Sequence, residues 1–342
     1  MNAGLDRESA NAAYHALRRR VEAAGLLEPD LAAYRIRAAW IVPLWLACGA
    51  ALTQTQDWPA RLLLAAVTAF VSIQAAAIAH EAGHGAITAD AGRIRLIGLL
   101  FMTLIMGSSF SSWLAKHRPH HGHANTRQDP DMRAGLFNFT REDAVAARGA
   151  ARWFTRRQPW LIWPLATLMG FAFKIGSLRH FGRHPRQTRL DQLLLALHLG
   201  LLVILPAVLL DPATAAVNYL LITWCEGLYL AFIFLTNHLG HPTDAMQWQR
   251  SYIERQAACA RNLPDTWLYR NVFVGLNSHI EHHLFPTASF TRLHRIRPMV
   301  QQACAQLGIP YHQVSLLGAF AEFHRHNRAM AASATPPALV RA

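Results

Sequence analysis

The chain has 342 residues, 52% of them hydrophobic and only 15% charged, with positive mean hydropathy. A soluble domain of this size carries more charge, and several apolar runs approach the ~20 residues that cross a bilayer core. The composition therefore excludes an ordinary soluble globular protein and predicts an integral membrane protein. The net charge of +13 is almost all Arg, since Lys116 and Lys174 are the only lysines. No aromatic-interleaved basic motif accompanies it, which argues against nucleic acid as a partner and for a basic membrane face. The cysteines Cys48, Cys225, Cys259 and Cys304 have no C-x-x-C spacing. That excludes a disulfide framework, a zinc knuckle or an iron–sulfur cluster.

Residues 1–37 are charged and lack an apolar signal core, so they read as a cytoplasmic segment with no cleaved targeting peptide. A membrane domain is expected over 38–328. Its best spanning candidates are 38–55 (containing Pro43), 61–80, 190–210 and 213–237. The connections 54–60 and 211–213 hold no Lys or Arg, whereas Arg18, Arg19, Arg20, Arg35 and Arg37 precede the first span. Arg179, Arg183, Arg186 and Arg189 precede the third. The positive-inside bias then predicts a bacterial-type cytoplasmic membrane with both termini on the cytoplasmic side. Two further apolar stretches, 96–112 and 160–178, must each return to the side they started from. Gly98, Gly107 and the Ser108-Ser109 pair would permit a bend in the first. The second reads as an interfacial helix with Trp160 and Trp163 at headgroup depth and a snorkelling Lys174. The tail 329–342 is expected to be disordered.

Three histidine clusters punctuate this pattern: His80 and His84; His117, His120 and His121; and His279, His282 and His283. Within each the spacing is i, i+3 or i+4, which on a helix puts the imidazoles on one face. Eight imidazoles exceed the needs of one four-coordinate zinc and fit two metal ions. Imidazole suits iron, zinc, copper or nickel, so the count alone does not name the metal. Glu81, Asp129, Asp131 and Glu281 lie within or beside the clusters and are candidates to orient the ligating rings. His198, inside the third span, reads as a neutral hydrogen-bonded core residue, and His15 and His312 as surface residues.

An H-x-x-x-H followed by two H-x-x-H-H motifs resembles the membrane fatty acid desaturases. The run His282-His283-Leu284-Phe285-Pro286 resembles the HHLFP of front-end and related acyl-lipid desaturases, and Asp129-Pro130-Asp131 resembles the acidic sequel found there. The likeness covers about residues 60–315. Two features depart from it. Front-end enzymes usually carry Gln where His279 stands, and many carry a fused cytochrome b5 domain with a His-Pro-Gly-Gly motif that this sequence lacks. The resemblance implies an all-α membrane protein of four transmembrane helices with interfacial helices and a cytoplasmic His-rich cap. It also implies two iron ions, O2 as co-substrate, and a double bond introduced into a long fatty acyl chain. A ninth ligand is implied near the end of the last span, where His238 stands, with His241 and His123 as competitors.

Withdrawing two hydrogens from an unactivated methylene pair needs an oxidant that side chains do not supply, and zinc has no redox chemistry. Electrons are expected from an external carrier, because the chain shows no haem motif, no clustered cysteines and no glycine-rich dinucleotide fingerprint. Arg133, Arg141, Arg148, Arg152, Arg156 and Arg157 follow the second cluster and would steer a small acidic donor. A ferredoxin is expected, ahead of cytochrome b5 or rubredoxin.

Other readings fit less. His80-Glu81-Ala82-Gly83-His84 also matches the H-E-x-x-H motif of zinc proteases, but an intramembrane metalloprotease leaves six clustered histidines unused. A membrane di-iron hydroxylase of a lipid or hydrocarbon keeps the metal site; the His-His-Leu-Phe-Pro flank favours desaturation over it. A metal transporter would place its ionisable residues mid-span. A soluble di-iron carboxylate bundle needs two Glu-x-x-His pairs.

Overall fold

Short polar caps set where each apolar helix begins. In the structure, a computed structural model, residues 7–132, 136–241 and 250–335 are described. Helix α1 (Arg7–Ala23) leads into α2 (Leu31–Gln54) and α3 (Trp58–Gly83). Asp30 accepts from Ala33 N (3.3 Å) and Asp57 from Ala60 N (2.9 Å), fixing the two starts. Helix α2 thus begins earlier than the 38–55 expected and takes in Arg35 and Arg37, so that 7–37 is largely helical. Then come α4 (Ala91–Ile105) with α5 (Phe110–His123), α6 (Arg141–Ala146), and α7 (Gly149–Ala166) with α8 (Met169–Arg183). Helices α9 (Arg189–Leu209) and α10 (Pro212–Phe234) follow. The chain ends in the short α11 (Tyr252–Ala258), α12 (Trp267–Val272) and α13 (His279–Leu284), then α14 (Phe290–Gln306) and α15 (Leu316–Ser333).

Among the described residues there is no β-strand, only an isolated bridge between Asn262 and Gln313. Helices α2, α3, α9 and α10 are long and apolar enough to cross a membrane. They expose an apolar exterior that includes Leu46, Leu63, Leu193, Ile204 and Val208, the face such a helix offers to lipid rather than water. The four expected spans are all present. The expected tail is helical as far as Ser333, where Ala and Met continue a good helix former; residues 336–342 lie outside the described residues.

The two extra apolar stretches are bent pairs. Helices α4 and α5 meet at 114°, with Gly107 at φ +72°, where a Cβ would lie 2.3 Å from His198 Nε2. The bend is anchored by a residue the sequence reading did not single out. Asp191, fully buried, accepts from Ser109 Oγ (2.7 Å), Ser111 Oγ (2.7 Å) and Ser111 N (3.2 Å). His198 Nδ1 donates to Leu104 O (2.8 Å), and Tyr219 OH bonds its Nε2 (3.2 Å). It is therefore the neutral core histidine expected. The second stretch is not one interfacial helix: α7 and α8 turn by 84° at 166–169. Nor does Lys174 snorkel. Its side chain is mostly buried, with Nζ 2.9 Å from Glu226 Oε2 and 2.9 Å from Met106 O. A carboxylate on the neighbouring α10 satisfies the ammonium where it stands, which removes the reason to reach for the headgroups.

Helices α8 and α10 touch through Gly170 and Gly227: a Cβ on Gly227 would fall 2.0 Å from Thr167 O, and one on Gly170 would fall 2.2 Å from Thr223 O. Overpacking of this kind costs about 1–3 kcal/mol or more. Gly227→Ala should lower the unfolding temperature of the detergent-purified protein by several degrees. Gly182→Ala, where an added Cβ meets nothing within 4 Å, should leave it unchanged or higher.

Candidate metal centre

Helix α3 delivers His80 and ends at His84, α5 carries the second cluster on its last turns, and α13 carries the third. All six residues of α13 are buried. It is held from behind by α1, whose Tyr14 OH donates to Leu284 O (3.0 Å). His238 follows α10. The structure brings all nine histidines together in two adjoining groups.

In the first group His80, His84, His117 and His282 offer ring nitrogens within 4.8 Å of one another. His121 joins it, its Nε2 3.0 Å from His117 Nε2. In the second, His120, His238 and His283 converge likewise, and His279 Nε2 lies 2.6 Å from His238 Nε2.

Helix geometry explains the motifs. At 3.6 residues per turn, positions i and i+4 lie about 40° apart, while i+3 lies about 60° to the other side. On α5, His117 and His121 therefore share one stripe and serve the first group, while His120 serves the second. On α13 the roles are exchanged: His279 and His283 serve the second group and His282 the first. An H-x-x-H-H helix can straddle two centres, whereas the H-x-x-x-H of α3 serves one.

The nitrogen contacts test whether metal fits. His84 Nε2 and His117 Nε2 are 2.8 Å apart, and His120 Nε2 and His238 Nε2 3.1 Å. Each such pair can hold one hydrogen between two rings that point the same way. His282 is buried with neither ring nitrogen hydrogen-bonded, and His283 Nε2 is buried without a partner. Buried polar atoms left unpaired cost about 1–3 kcal/mol each, and a shared cation removes that cost. Burial, together with the charge each ring would impose on the next, pushes His84, His117, His121, His279, His282 and His283 well below the usual imidazole value. The same effects push His238 to about 3. These rings stay neutral at physiological pH, as ligation requires. The donor set fits two transition-metal ions.

Opposite nitrogens are oriented from outside. His120 Nδ1 lies 3.0 and 3.1 Å from the two oxygens of buried Asp129. Burial alone would lower His120, but the Asp129 hydrogen bond and the Asp131 and Asp129 charges raise it. Asp129 is itself fixed by Asn125 N and Asp131 N, at 2.9 Å each. Asp131, half-exposed, stands 3.4 Å from the same ring. His238 Nδ1 donates to Cys259 O (2.8 Å) and His283 Nδ1 to Gln256 Oε1 (3.0 Å). Neither Gln256 nor the Cys259 carbonyl had a signal in the sequence, since a neutral amide in a short helix resembles any other.

Glu81 Oε1 lies 3.3 Å from His80 Nδ1, while its Oε2 accepts from Tyr34 OH (2.6 Å) and Phe290 N (2.9 Å). The carboxylate thus sits behind a ring instead of beside an open coordination position, which is where the protease reading needs it. Glu281 turns away from the rings. Its oxygens are taken by Asn262 Nδ2 and Tyr311 OH, at 2.7 Å each, and Asn262 Oδ1 accepts from Ile280 N, so it fixes α13 from the outer side. His123 is in neither group. His241 belongs to a separate cluster, where Arg261 Nε donates to its Nε2 (2.9 Å) and its ring packs on His312. His312 is bonded to Glu322 and partly exposed, and His15 is exposed.

The sequence profile described as "Fatty acid desaturase" matches residues 56–315, a stretch that holds all nine of these histidines. The chain belongs to the fatty acid desaturase family. Curated proteins similar to it include an "Acyl-lipid (8-3)-desaturase" of Thraustochytrium sp, 25% identical over 313 residues, covering 88% of this chain and 70% of that one. A "Delta(8)-fatty-acid desaturase" of Euglena gracilis is 24% identical over 255 residues (68% and 59%). An "Acyl-lipid (7-3)-desaturase" of Diacronema lutheri is 28% identical over 262 residues (70% and 57%). The chain spans between about half and two-thirds of the length of most such relatives.

Loss of a carboxylate that orients a ligating histidine typically costs 10–100-fold in metal affinity. Asp129→Asn should lower metal retention by about that factor in a chelator competition read by elemental analysis, with the helical circular dichroism unchanged. Asp131→Asn should have a smaller effect.

Proposed function

We propose that this protein is an O2-dependent acyl desaturase that introduces a carbon–carbon double bond into a long fatty acyl chain at a centre of two iron ions. The observation that carries the reading is the pairing of two converging imidazole groups, with ring nitrogens left unpaired in a buried setting, in a chain of this family. His80, His84, His117, His121 and His282 would hold one ion, and His120, His238, His279 and His283 the other. Bound iron would supply the redox chemistry with O2 that no side chain here can perform.

The remaining work falls to the protein. Asp129, Gln256, Glu81 and the Cys259 carbonyl hold Nδ1 atoms, so that the opposite nitrogens face inward. A cleft reaches His117 between the α5 and α8 walls; Trp113, Met169 and Phe173 give it apolar surface, and Lys116 and Asp131 stand on its polar side. We infer that an acyl chain approaches along it, with the apolar lining excluding water from the reacting carbons. The Arg distribution favours a cytoplasmic face for the centre.

Expression in a host lacking the activity, with double-bond localisation by mass spectrometry of extracted fatty acids, tests the reaction. A new unsaturated product is expected from the wild type, and none from His282→Ala/His283→Ala or His238→Ala. His15→Ala should remain near neutral. Full activity in the double variant would overturn the site, and a hydroxylated product would move the chain to the hydroxylase reading.

A separate electron donor is part of the proposal. Arg141, Arg148, Arg156 and Arg157 are exposed beyond the second cluster, as are Lys116 and Arg118 beside His117; Arg133 lies outside the described residues. Such a face steers a small acidic carrier such as a ferredoxin, or a cytochrome b5 or rubredoxin. Turnover reconstituted with a ferredoxin and its reductase should fall as salt rises from low to physiological, since exposed charges are then screened. Turnover with NAD(P)H and O2 and no added carrier would refute it.

A further inference from the structure

On the outer side of the wall formed by Tyr34, Glu81 and Phe290 lies a second cleft, lined by Ile36, Arg37, Trp40, Arg270, Asn271 and His294, among others. Two of its features point to a ligand. First, Arg37 is more than nine-tenths buried, yet every group it bonds is neutral: Gln74 Oε1, Asn271 Oδ1 (3.5 Å) and Asn271 O (3.4 Å). Its Nε is buried with no partner, and the guanidinium rests 4.6 Å over the Phe290 ring. None of its hydrogen-bond partners is a carboxylate, so an anion in the cleft would meet a buried cationic donor that nothing else bonds.

Second, the surroundings are half basic and half apolar. Arg270 is held at the rim by Asp265 (2.6 Å); of the other nearby acids, Asp30 is taken by Thr291 Oγ1 (2.6 Å) and its own helix cap, and Glu81 by Tyr34 OH and Phe290 N. On the membrane side Ile36 is largely exposed and Trp40 partly so, on the first turns of a candidate span, at the depth where aromatic residues meet lipid headgroups. A cationic pocket with an apolar lip, at the start of a membrane helix, matches an amphiphile with a phosphate at its head.

We propose that this cleft binds the phosphate ester of the acyl carrier, with Arg37 and Arg270 as its charged contacts. The identity of the occupant as substrate rests on the acyl-desaturase reading; the phosphate chemistry does not. The cleft and the metal centre share a wall. Tyr34, one turn before Arg37, and the backbone N of Phe290, whose ring lies under the guanidinium, both bond Glu81 Oε2, and Glu81 Oε1 touches His80. Seating the headgroup would thus fix one end of the acyl chain against the element that orients a ligating histidine.

The test is native mass spectrometry of the full detergent-purified chain, without O2 or reductant, titrated with dioleoylphosphatidylglycerol and with a phosphate-free digalactosyl diacylglycerol bearing the same acyl chains. The wild type should retain the phospholipid about tenfold better, the worth of one charge-assisted hydrogen bond. Arg37→Gln should abolish the preference. Should that variant fail to fold, Arg270→Gln/His294→Gln at the rim should reduce the preference by a comparable factor and raise KM with little change in kcat. Competition by coenzyme A would assign the phosphate to a soluble thioester, and its indifference would assign it to a membrane lipid; either supports the site. Equal retention of both lipids by the wild type, or an undiminished preference in folded variants, would overturn it. Because binding is read without turnover, a protein that binds phosphate but never desaturates would refute the desaturase reading and leave this site standing.

Discussion

Nine imidazoles packed with their nitrogens facing one another are the constraint on which the rest of the molecule depends. Left to themselves they are a liability: each unpaired buried nitrogen costs about 1–3 kcal/mol, and protonating any ring would set it against its neighbours. The protein tolerates this arrangement by denying the rings alternatives. Asp129, Gln256 and the Cys259 carbonyl engage Nδ1 atoms from outside, which leaves the inward nitrogens no option but each other or a metal. The orienting groups differ in charge for a reason. Only His120 meets a pair of acids, Asp129 and Asp131, and their hydrogen bond and charges pull that ring upward in basicity, while burial drives His84, His117, His121, His238, His279, His282 and His283 down.

The membrane half serves the same end. Helix α5 carries three of the nine rings, and its direction is decided at the α4–α5 bend. The chain cannot turn 114° inside an apolar bundle without freeing backbone polar groups, which must then be satisfied by side chains. Asp191 takes the serine hydroxyls and the Ser111 amide; His198 takes Leu104 O; Lys174 takes Met106 O and is neutralised by Glu226. Three ionisable or polar side chains from α8 and α9 thus stabilise one turn. Mid-span polar residues mark function by default. Here their function is to aim a helix.

What was legible in the sequence was whatever repeats locally. The four spans follow from hydropathy alone, and the grouping of the histidine rings from i, i+3 and i+4 spacing. Even the bend at Gly107 followed from a geometric requirement, since a straight span would have parted His84 from His117. What escaped was set by partners distant in the chain. Lys174 read as a snorkelling residue because its acid, Glu226, is 52 positions away. The 160–178 stretch read as one helix because the contact that accompanies the turn at 166–169, Gly170 against Gly227, is made with a helix distant in the chain. Glu281 read as an orienting acid by proximity, yet on a helix the residue between two ligands points away from both.

That last point extends to Glu81, which sits beside His80 in sequence and also behind it in space. Its two oxygens serve different masters: one approaches the His80 ring, the other gathers Tyr34 from α2 and the Phe290 amide that opens α14. Helices α2, α3 and α14 therefore meet at one carboxylate, and none can shift without disturbing the orientation of the His80 ring. In the H-E-x-x-H of a protease the same glutamate would have to face the metal and act on water. Turned outward, it cannot act as a base at the metal, and it becomes the joint through which the first membrane helix and the histidine cap hold a common register. The motif is shared between the two chemistries, and the side on which the acid lies tells them apart.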